Sequence, residues 1–452
     1  MQNSPTTYFK KILRGMGVDR AIGYGVLGKV WQLFAGPVTL ILISLHLSPE
    51  VQGFYYTFIS LIALQSFVEL GFFVVITQFA SHEWSDLDID TKGNITGNPK
   101  ALSRLVSLGR LVFKWYACAS ALFIMAVGAG GFWFLSQNPH PDINWELPWL
   151  IYIILSGIEL WTLPFLSLLE GCNQVTNIQL LRLIQSIAKS LVMWAIMVTG
   201  KGLWIAVGAV GASLLVEAGV LFFKYRFFFI PFFTLKIDDH ISWKTEIWPM
   251  QWRLAVSGFG GYLVHSIYTP VLFHYHGPIV AGQMGMTLQL AGMVESLAMM
   301  WVATKVPRFG MLIAKKNWIE LDRLFFRSSF ASMGVVVAGS IALWGIVFGL
   351  NSFEHSFAQR LLPPLPLAII LLAIVFLQVV YCQYYYLRAH KKEPVMKLNV
   401  AYSLANGLLV WALGSQFGAM GASTGYLITT GLILFPFSTL IFSRCRKAWH
   451  QP

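Results

Sequence analysis

Charge is what this sequence has least of. Asp, Glu, Lys and Arg make up 12% of the residues, about half their share in an average soluble domain. Hydrophobic residues reach 56%, aromatics 15%, and the mean hydropathy is +0.64. A soluble fold of 452 residues is excluded by that balance; the chain reads as a polytopic membrane protein. Cysteine is scarce as well. Cys118, Cys172, Cys382 and Cys445 are scattered, with no CxxC pair and no spacing that would suit a metal. They read as packing residues or idle thiols. No GxxxxGK[ST] occurs, so the chain is not its own ATPase. No HExxH occurs either, and neither a cofactor, a metal nor a catalytic residue is expected. Acid is the scarcer sign, with 20 Asp and Glu against 32 Lys and Arg, a net charge of +12. Such an excess suggests nucleic acid, but the placement of the cations argues against it.

What the chain has instead is apolar runs. Twelve spans are expected, at about 21–46, 53–80, 111–135, 147–169, 180–200, 203–223, 252–273, 280–304, 328–350, 365–387, 395–414 and 420–442. Across them, 29 of the 32 Lys and Arg fall on one side. Only Lys201 and Arg360 lie opposite, and Lys29 sits inside the first span. Cationic loops stay cytoplasmic, so both termini are expected inside. The opposite connections are short, too short for an outer domain or an outer active site. The inner ones are longer and amphipathic, above all 81–110, 224–251 and 305–327, suited to the membrane surface or to helices prolonged beyond it. SHEWSDLDIDTKGNITGNPK is the one clearly polar loop, and its Asn94-Ile95-Thr96 triplet faces inward. The basic segment MQNSPTTYFKKILRGMGVDR lacks the apolar core of a cleavable signal, so the first span is expected to direct insertion.

An internal repeat orders the spans. LLEGCNQVTNIQLLRLIQSIAKSLV (168–192) can be laid on YYLRAHKKEPVMKLNVAYSLANGLLV (385–410) at an offset of 217. The fold class expected is all-α, about twelve transmembrane helices in two pseudo-symmetric six-helix bundles. The division reads 1–20, a cytoplasmic tail; 21–223, the first bundle; 224–251, an amphipathic linker; 252–442, the second bundle; 443–452, a second tail. Halves of six spans insert with one orientation, and a site between them is expected.

Ionisable groups inside spans cost about 2.5–3.5 kcal/mol each on insertion scales, so they mark function or helix contacts. Gln65 and Glu69 share a helix face in the second span, and Gln289 and Glu295 repeat that pairing in the eighth, beside Gly285 and Gly292. A structural pair with Lys29 or another cation is the plainer role for the two acids. Gly25, Lys29, Gln32 and Gly36 form a small and polar stripe on the first span; Lys29 either lines a cavity or snorkels to the inner surface. Arg182, Gln185 and Lys189 make a cationic strip on the fifth that would suit a diphosphate or simply follow the inward charge bias. Gly258, Gly261, His265 and Tyr268 share a face of the seventh; His265 reads as a titrating group or a structural histidine. Glu159 and Glu217 are further intramembrane acids, and with Glu69 and Glu295 they are the candidates for coupling an ion. Tyr381, Gln383, Tyr384, Tyr385 and Tyr386 read as an interfacial belt.

At 52–83 the sequence QGFYYTFISLIALQSFVELGFFVVITQFASHE, with Gly53, Tyr55-Tyr56, Glu69-Leu70-Gly71 and Ser81, resembles the second helix of bacterial polysaccharide export flippases. The turn LLEGCNQVTNIQLLRLIQ is similar to theirs too. These are O-antigen flippase-like members of the multidrug/oligosaccharidyl-lipid/polysaccharide exporter superfamily. The resemblance implies a transporter, not an enzyme, in the bacterial inner membrane. It would flip an undecaprenyl-diphosphate-linked oligosaccharide by alternating access. Its partners would be that lipid-linked substrate, the bilayer, and the polymerase and chain-length proteins of polysaccharide assembly. Lys29 is the best match to the cationic cavity residues of such relatives. The acids Glu69, Glu159, Glu217 and Glu295 depart from a purely cationic cavity and would serve ion coupling or touch sugar hydroxyls. Two alternatives stay open: a cation-coupled multidrug exporter of the same superfamily, and a membrane enzyme that polymerises or ligates lipid-linked glycans.

Overall fold

The second span begins where the chain offers a cap. Ser48, in extended conformation, accepts a hydrogen bond from Val51 N at 3.3 Å, Pro49 takes the first helical position and Glu50 the first turn, and α2 (Pro49–Ile62) starts there. It follows α1 (Arg20–His46) after two residues. The computed structural model describes residues 20–450 except Leu70, and of Met250, Arg253, Leu254 and 256–259 the backbone alone. The expected tail over 1–19 and the end of the second tail lie outside the described residues, and Gly258 belongs to the stretch known by its backbone.

The second span is not the continuous helix expected over 53–80. It is broken into α2, α3 (Gln65–Glu69) and α4 (Phe72–Glu83). At the first break Phe67 N bonds Leu64 O, a tight turn in place of the helical ladder. At the second, Gly71 sits at φ 63°, ψ 19°, a left-handed conformation that glycine adopts without a Cβ penalty. Glu69 therefore ends a five-residue helix, and one breaker in an otherwise apolar run was the signal for it.

The loop after the second span also departs from expectation. A 3-10 turn (Trp84–Asp86) leads into an antiparallel hairpin, β1 (Leu87–Ile89) and β2 (Ile95–Gly97), which pairs Leu87 with Gly97 and Ile89 with Ile95. The Asp90 carboxylate closes it, accepting from the backbone of Lys92 and Asn94 at 2.8 Å each and from Asn94 Nδ2 at 3.0 Å. Three-residue strands are too short to show an alternation in sequence. Asn98 then caps α5 (Pro99–Ser136) by accepting from Lys100 N at 2.9 Å, so this helix begins twelve residues before the expected span.

The remaining helices are α6 (Glu146–Gly171), α7 (Val175–Val198), α8 (Trp204–Thr234), a π-helical turn (Trp243–Ile247) with α9 (Trp248–His265), α10 (Tyr268–Ala303), the short amphipathic α11 (Val306–Ala314), α12 (Trp318–Ser352), α13 (Pro364–Ala389), α14 (Met396–Ile428), a second π-helical turn (Thr429–Leu434) and α15 (Phe435–Trp449). Gly277 (φ 83°) and Gly418 (φ 60°) kink α10 and α14, so each of these holds parts of two successive spans. Counted across the kinks, the described residues form about twelve spans, an all-α polytopic membrane fold.

Two compact units emerge. The first holds residues up to Leu47, Leu64–Ser136 and His140–Ala255; the second holds Ser48–Ala63, Gln137–Pro139 and residues from Val256 on. The break at Ala63–Leu64 is thus where the chain leaves the second unit for the first. Residues 48–63 group with the second unit, whereas the division by sequence had put them in the first bundle. The turns matched by the repeat are alike in shape: Asn173 (φ 62°) joins α6 to α7, and Lys391 (φ 57°) joins α13 to α14.

Within a bilayer, apolar surface gains nothing by leaving lipid, so helices are held by close backbone approach and buried hydrogen bonds. The first unit uses aromatic rings on glycine: Trp149 covers Gly131 and donates to Gly128 O at 3.1 Å, and Phe232 covers Gly109. Trp194 of α7 donates to Thr39 Oγ1 of α1 at 2.8 Å. The second unit brings backbones together directly. Gly53 of α2 lies against Pro278 and Gly282 of α10, the Tyr56 ring lies over Gly285, and Gln52 Nε2 donates to Gly282 O at 3.0 Å.

Candidate functional site

Glu159 and Glu170 of α6, Arg182 and Lys189 of α7 and Glu217 of α8 are each paired across these helices of the first unit. Gly171 and Cys172 end α6, and the left-handed Asn173 turns the chain back so that α7 runs beside it. Lys189 Nζ of α7 is 3.0 Å from Glu159 Oε1 of α6, which also accepts from Ser213 Oγ of α8 at 3.2 Å. One turn away Gln185 Nε2 donates to Glu217 Oε2 at 3.0 Å and to Ser213 Oγ at 3.1 Å. Glu217 is only 3% exposed. Arg182, nearer the end of the helix, pairs with Glu170 at 2.7 Å. The strip Arg182–Gln185–Lys189 is therefore not a bare cationic row, because each member is answered by an acid of α6 or α8.

Lys29 differs. It is exposed on α1, its Nζ lies 3.5 Å from Gln32 Oε1, and no acid among the described residues pairs with it. Gly25, on the same stripe, faces Gln179 of α7. Gln65 and Glu69 are half-buried on α3 and make no hydrogen bond or ion pair among the described residues. The structural pairing of Glu69 or Glu295 with a cation is absent among the described residues.

The second unit carries an open cavity of about 420 Å³ lined by α2, α9, α10, α13 and α14, within the 300–1,000 Å³ typical of small-molecule sites. The helix breaks beside it at Ser266–Ile267. There His265 ends α9 and Tyr268 begins α10, and both reach the cavity wall with Ser266 and Thr269. The carbonyl of Leu263, released from the helical ladder, accepts from Asn406 Nδ2 at 2.8 Å. Freed backbone inside a membrane must be answered in this way. Asn406 Oδ1 in turn accepts from Thr429 Oγ1 at 2.8 Å and from the Tyr268 hydroxyl at 3.4 Å. Thr429 and Thr430 sit on the π-helical turn, where the widened helix exposes its side chains to the unit's interior, and Thr430 meets the Tyr402 hydroxyl at 3.1 Å.

On the cavity wall the Tyr56 hydroxyl donates to Gln289 Oε1 at 2.7 Å, with Tyr55 and Tyr426 beside it. Glu295 lines the same space, half-buried, with no hydrogen bond or ion pair among the described residues. Of the residues expected to matter, His265, Gln289 and Glu295 thus share one cavity; Glu159, Gln185, Lys189 and Glu217 share one cluster; Lys29 with Gln32, and Gln65 with Glu69, stand apart from both. Sequence reasoning missed Asn406 and the Thr429-Thr430 pair, polar residues in apolar spans that carried no charge to flag them.

No family model matches the chain, and no curated protein matches it by sequence. Solved structures do. A multidrug resistance MATE family transporter of the MOP superfamily, facing inward, superposes with a TM-score of 0.65 at 12% identity, over 93% of this chain and 96% of its own. The lipid II flippase MurJ in an inward closed conformation gives 0.64 at 12%, over 93% and 87%. The MATE multidrug transporter DinF-BH gives 0.55 at 12%, over 96% and 97%. The fold is that of the MOP-superfamily transporters. At such identity the likeness is one of fold, and both multidrug transporters and a lipid II flippase share it.

Proposed function

We propose that the chain is a flippase that carries a polyprenyl-diphosphate-linked oligosaccharide across the bacterial inner membrane by alternating access, with both termini cytoplasmic. Lys29 carries this reading. An exposed ammonium in a spanning helix, with an amide one turn on and no acid paired with it among the described residues, suits a diphosphate and repels a cationic drug. Sequence likeness over residues 52–83 supports the same class. The polymerase and chain-length proteins of polysaccharide assembly are its expected neighbours, and Glu69 is the candidate carrier of a coupling ion.

The test is flipping by the full chain in liposomes, with a fluorescent undecaprenyl-diphosphate oligosaccharide as probe. Lys29→Ala should slow the initial rate at least tenfold, about 1.4 kcal/mol, and Lys29→Arg should keep it within about threefold. An unchanged rate in Lys29→Ala would sink the role given to this residue. Imposing a proton or sodium gradient tests coupling: Glu69→Gln should abolish any dependence of the rate on the gradient. A second reading, a multidrug exporter, is favoured by one observation, the unpaired Glu295 among tyrosines, since carboxylate and aromatic faces also suit an organic cation. That reading requires deletion of the gene to raise drug sensitivity and to leave surface polysaccharide intact.

A further inference from the structure

The cavity of the second unit holds no lysine or arginine among its described lining residues, although the chain as a whole is strongly basic. Phosphate binding needs cations or clustered backbone donors, so a diphosphate has no counter-charge there. Its wall is instead a dense mixture of neutral hydrogen-bonding groups. Gln289 offers an amide, Tyr56 a hydroxyl, His265 an imidazole, and Ser266 and Thr269 add two more hydroxyls. Tyrosine rings supply flat apolar faces between them. One acceptor has nothing to accept from among the described residues: the carboxylate of Glu295.

We infer that this cavity is a sugar-ring subsite selective for hexoses and N-acetylhexosamines without acidic groups, with Glu295 accepting from ring hydroxyls. The inference rests on the flippase reading and adds to it which part of the substrate the second unit handles. A pyranose presents several hydroxyls around its rim and apolar C–H faces, and both surfaces find counterparts here. An organic cation would use the aromatic faces and the one carboxylate but would leave the amide, the imidazole and the serine and threonine hydroxyls without partners, a desolvation loss for each. An acidic sugar would set its carboxylate beside that of Glu295, with no cation in the wall to offset the repulsion. Selectivity of this kind arises from the repulsive element as much as from the attractive ones.

Saturation-transfer difference NMR on the full chain in nanodiscs detects weak binding and suits free sugars. The probes are N-acetylglucosamine, glucose, glucuronic acid and tetraethylammonium. Saturation transfer is expected to the two neutral sugars and not to glucuronic acid or tetraethylammonium. Glu295→Ala and Gln289→Ala should each cut the neutral-sugar signal at least threefold. Glu295→Gln keeps the shape and removes the charge; it should retain the neutral sugars within about threefold and admit glucuronic acid, a gain that a misfolded protein cannot imitate. Glucuronic acid bound as well as glucose by the unaltered chain would overturn the selectivity. Tetraethylammonium bound in place of sugars would overturn the subsite. Should sugars fail to bind while liposome flipping succeeds, this inference falls alone; should flipping fail as well, the reading beneath it falls too.

Discussion

Inside their spans the two units treat acid in different ways, although outside them the second unit pairs Asp322 with Arg446 and Glu320 with Arg308. Along α6 and α8 of the first, Glu159 meets a lysine, Glu170 an arginine and Glu217, through one of its two oxygens, an amide. In the second, Glu295 stands at a cavity wall with no partner among the described residues. A paired intramembrane acid fixes helix contacts; an unpaired one that reaches a cavity is available to something that enters. The contrast fits a structural role for the paired acids of α6 and α8 and the binding role proposed for Glu295. Glu69, with no hydrogen bond or ion pair among the described residues, departs from that pattern within the first unit.

The strongest way to break the comparison is to attack what holds the second unit together without charge. A Cβ at Gly53 would fall inside the Pro278 carbonyl group, and neither backbone can yield without separating α2 from α10. Gly53→Leu should therefore destabilise by about 1–3 kcal/mol or more and deplete the protein from the membrane fraction. Gly23→Leu on α1 is the control, because the space around that position is open. Thermal unfolding in detergent reads both variants. Equal behaviour would show that backbone approach is not what binds the cavity wall.

An intermediate effect sharpens the account of the first unit. Gln185→Leu leaves the Glu217 carboxylate buried without its donor, a loss of about 1.5–3 kcal/mol for a hydrogen bond to a charged group. Glu217→Gln takes away the charge but leaves Gln185 still able to donate to the Ser213 hydroxyl, so it should cost less than about 1 kcal/mol. Unfolding temperatures should follow that order. If Glu217→Gln proved the more damaging, its carboxylate would have a role beyond helix contact, and the division between structural and binding acids would fail.

Most of the fold was legible because its signals are collective. Long apolar runs and one-sided cations give about twelve spans without reference to any single residue. What was not legible is local. Gly71 breaks the second span through one left-handed conformation, and many glycines in this chain lie in unbroken helix. At the candidate site, the Gln289–Glu295 pattern pointed to a real cavity wall, since polar groups at helical spacing must share a face. The pairing of Arg182 and Lys189 with Glu170 and Glu159 was hidden, because the partners come from another helix and sequence separation carries no record of that contact.

The smallest effect concerns acid that is satisfied outside the membrane altogether, where the first unit again uses its carboxylates for structure. The Asn94 side-chain amide, with the backbone of the hairpin turn, holds the Asp90 carboxyl below its usual range. A depressed value in the folded hairpin means that the contribution of Asp90 is present above the unfolded value of about 3.9 and is lost as pH falls through the folded one. Hydrogen exchange at residues 87–97 should therefore be constant from about pH 5 to 7, after correction for the intrinsic rate. It should accelerate in that range for Asp90→Ala, with residues 185–217 unaffected. Acceleration of the unaltered hairpin between pH 5 and 7 would mean that Asp90 does not hold the turn. A simultaneous change around Glu159 and Glu217 would mean that the acids of the first unit are linked and do not serve one contact each.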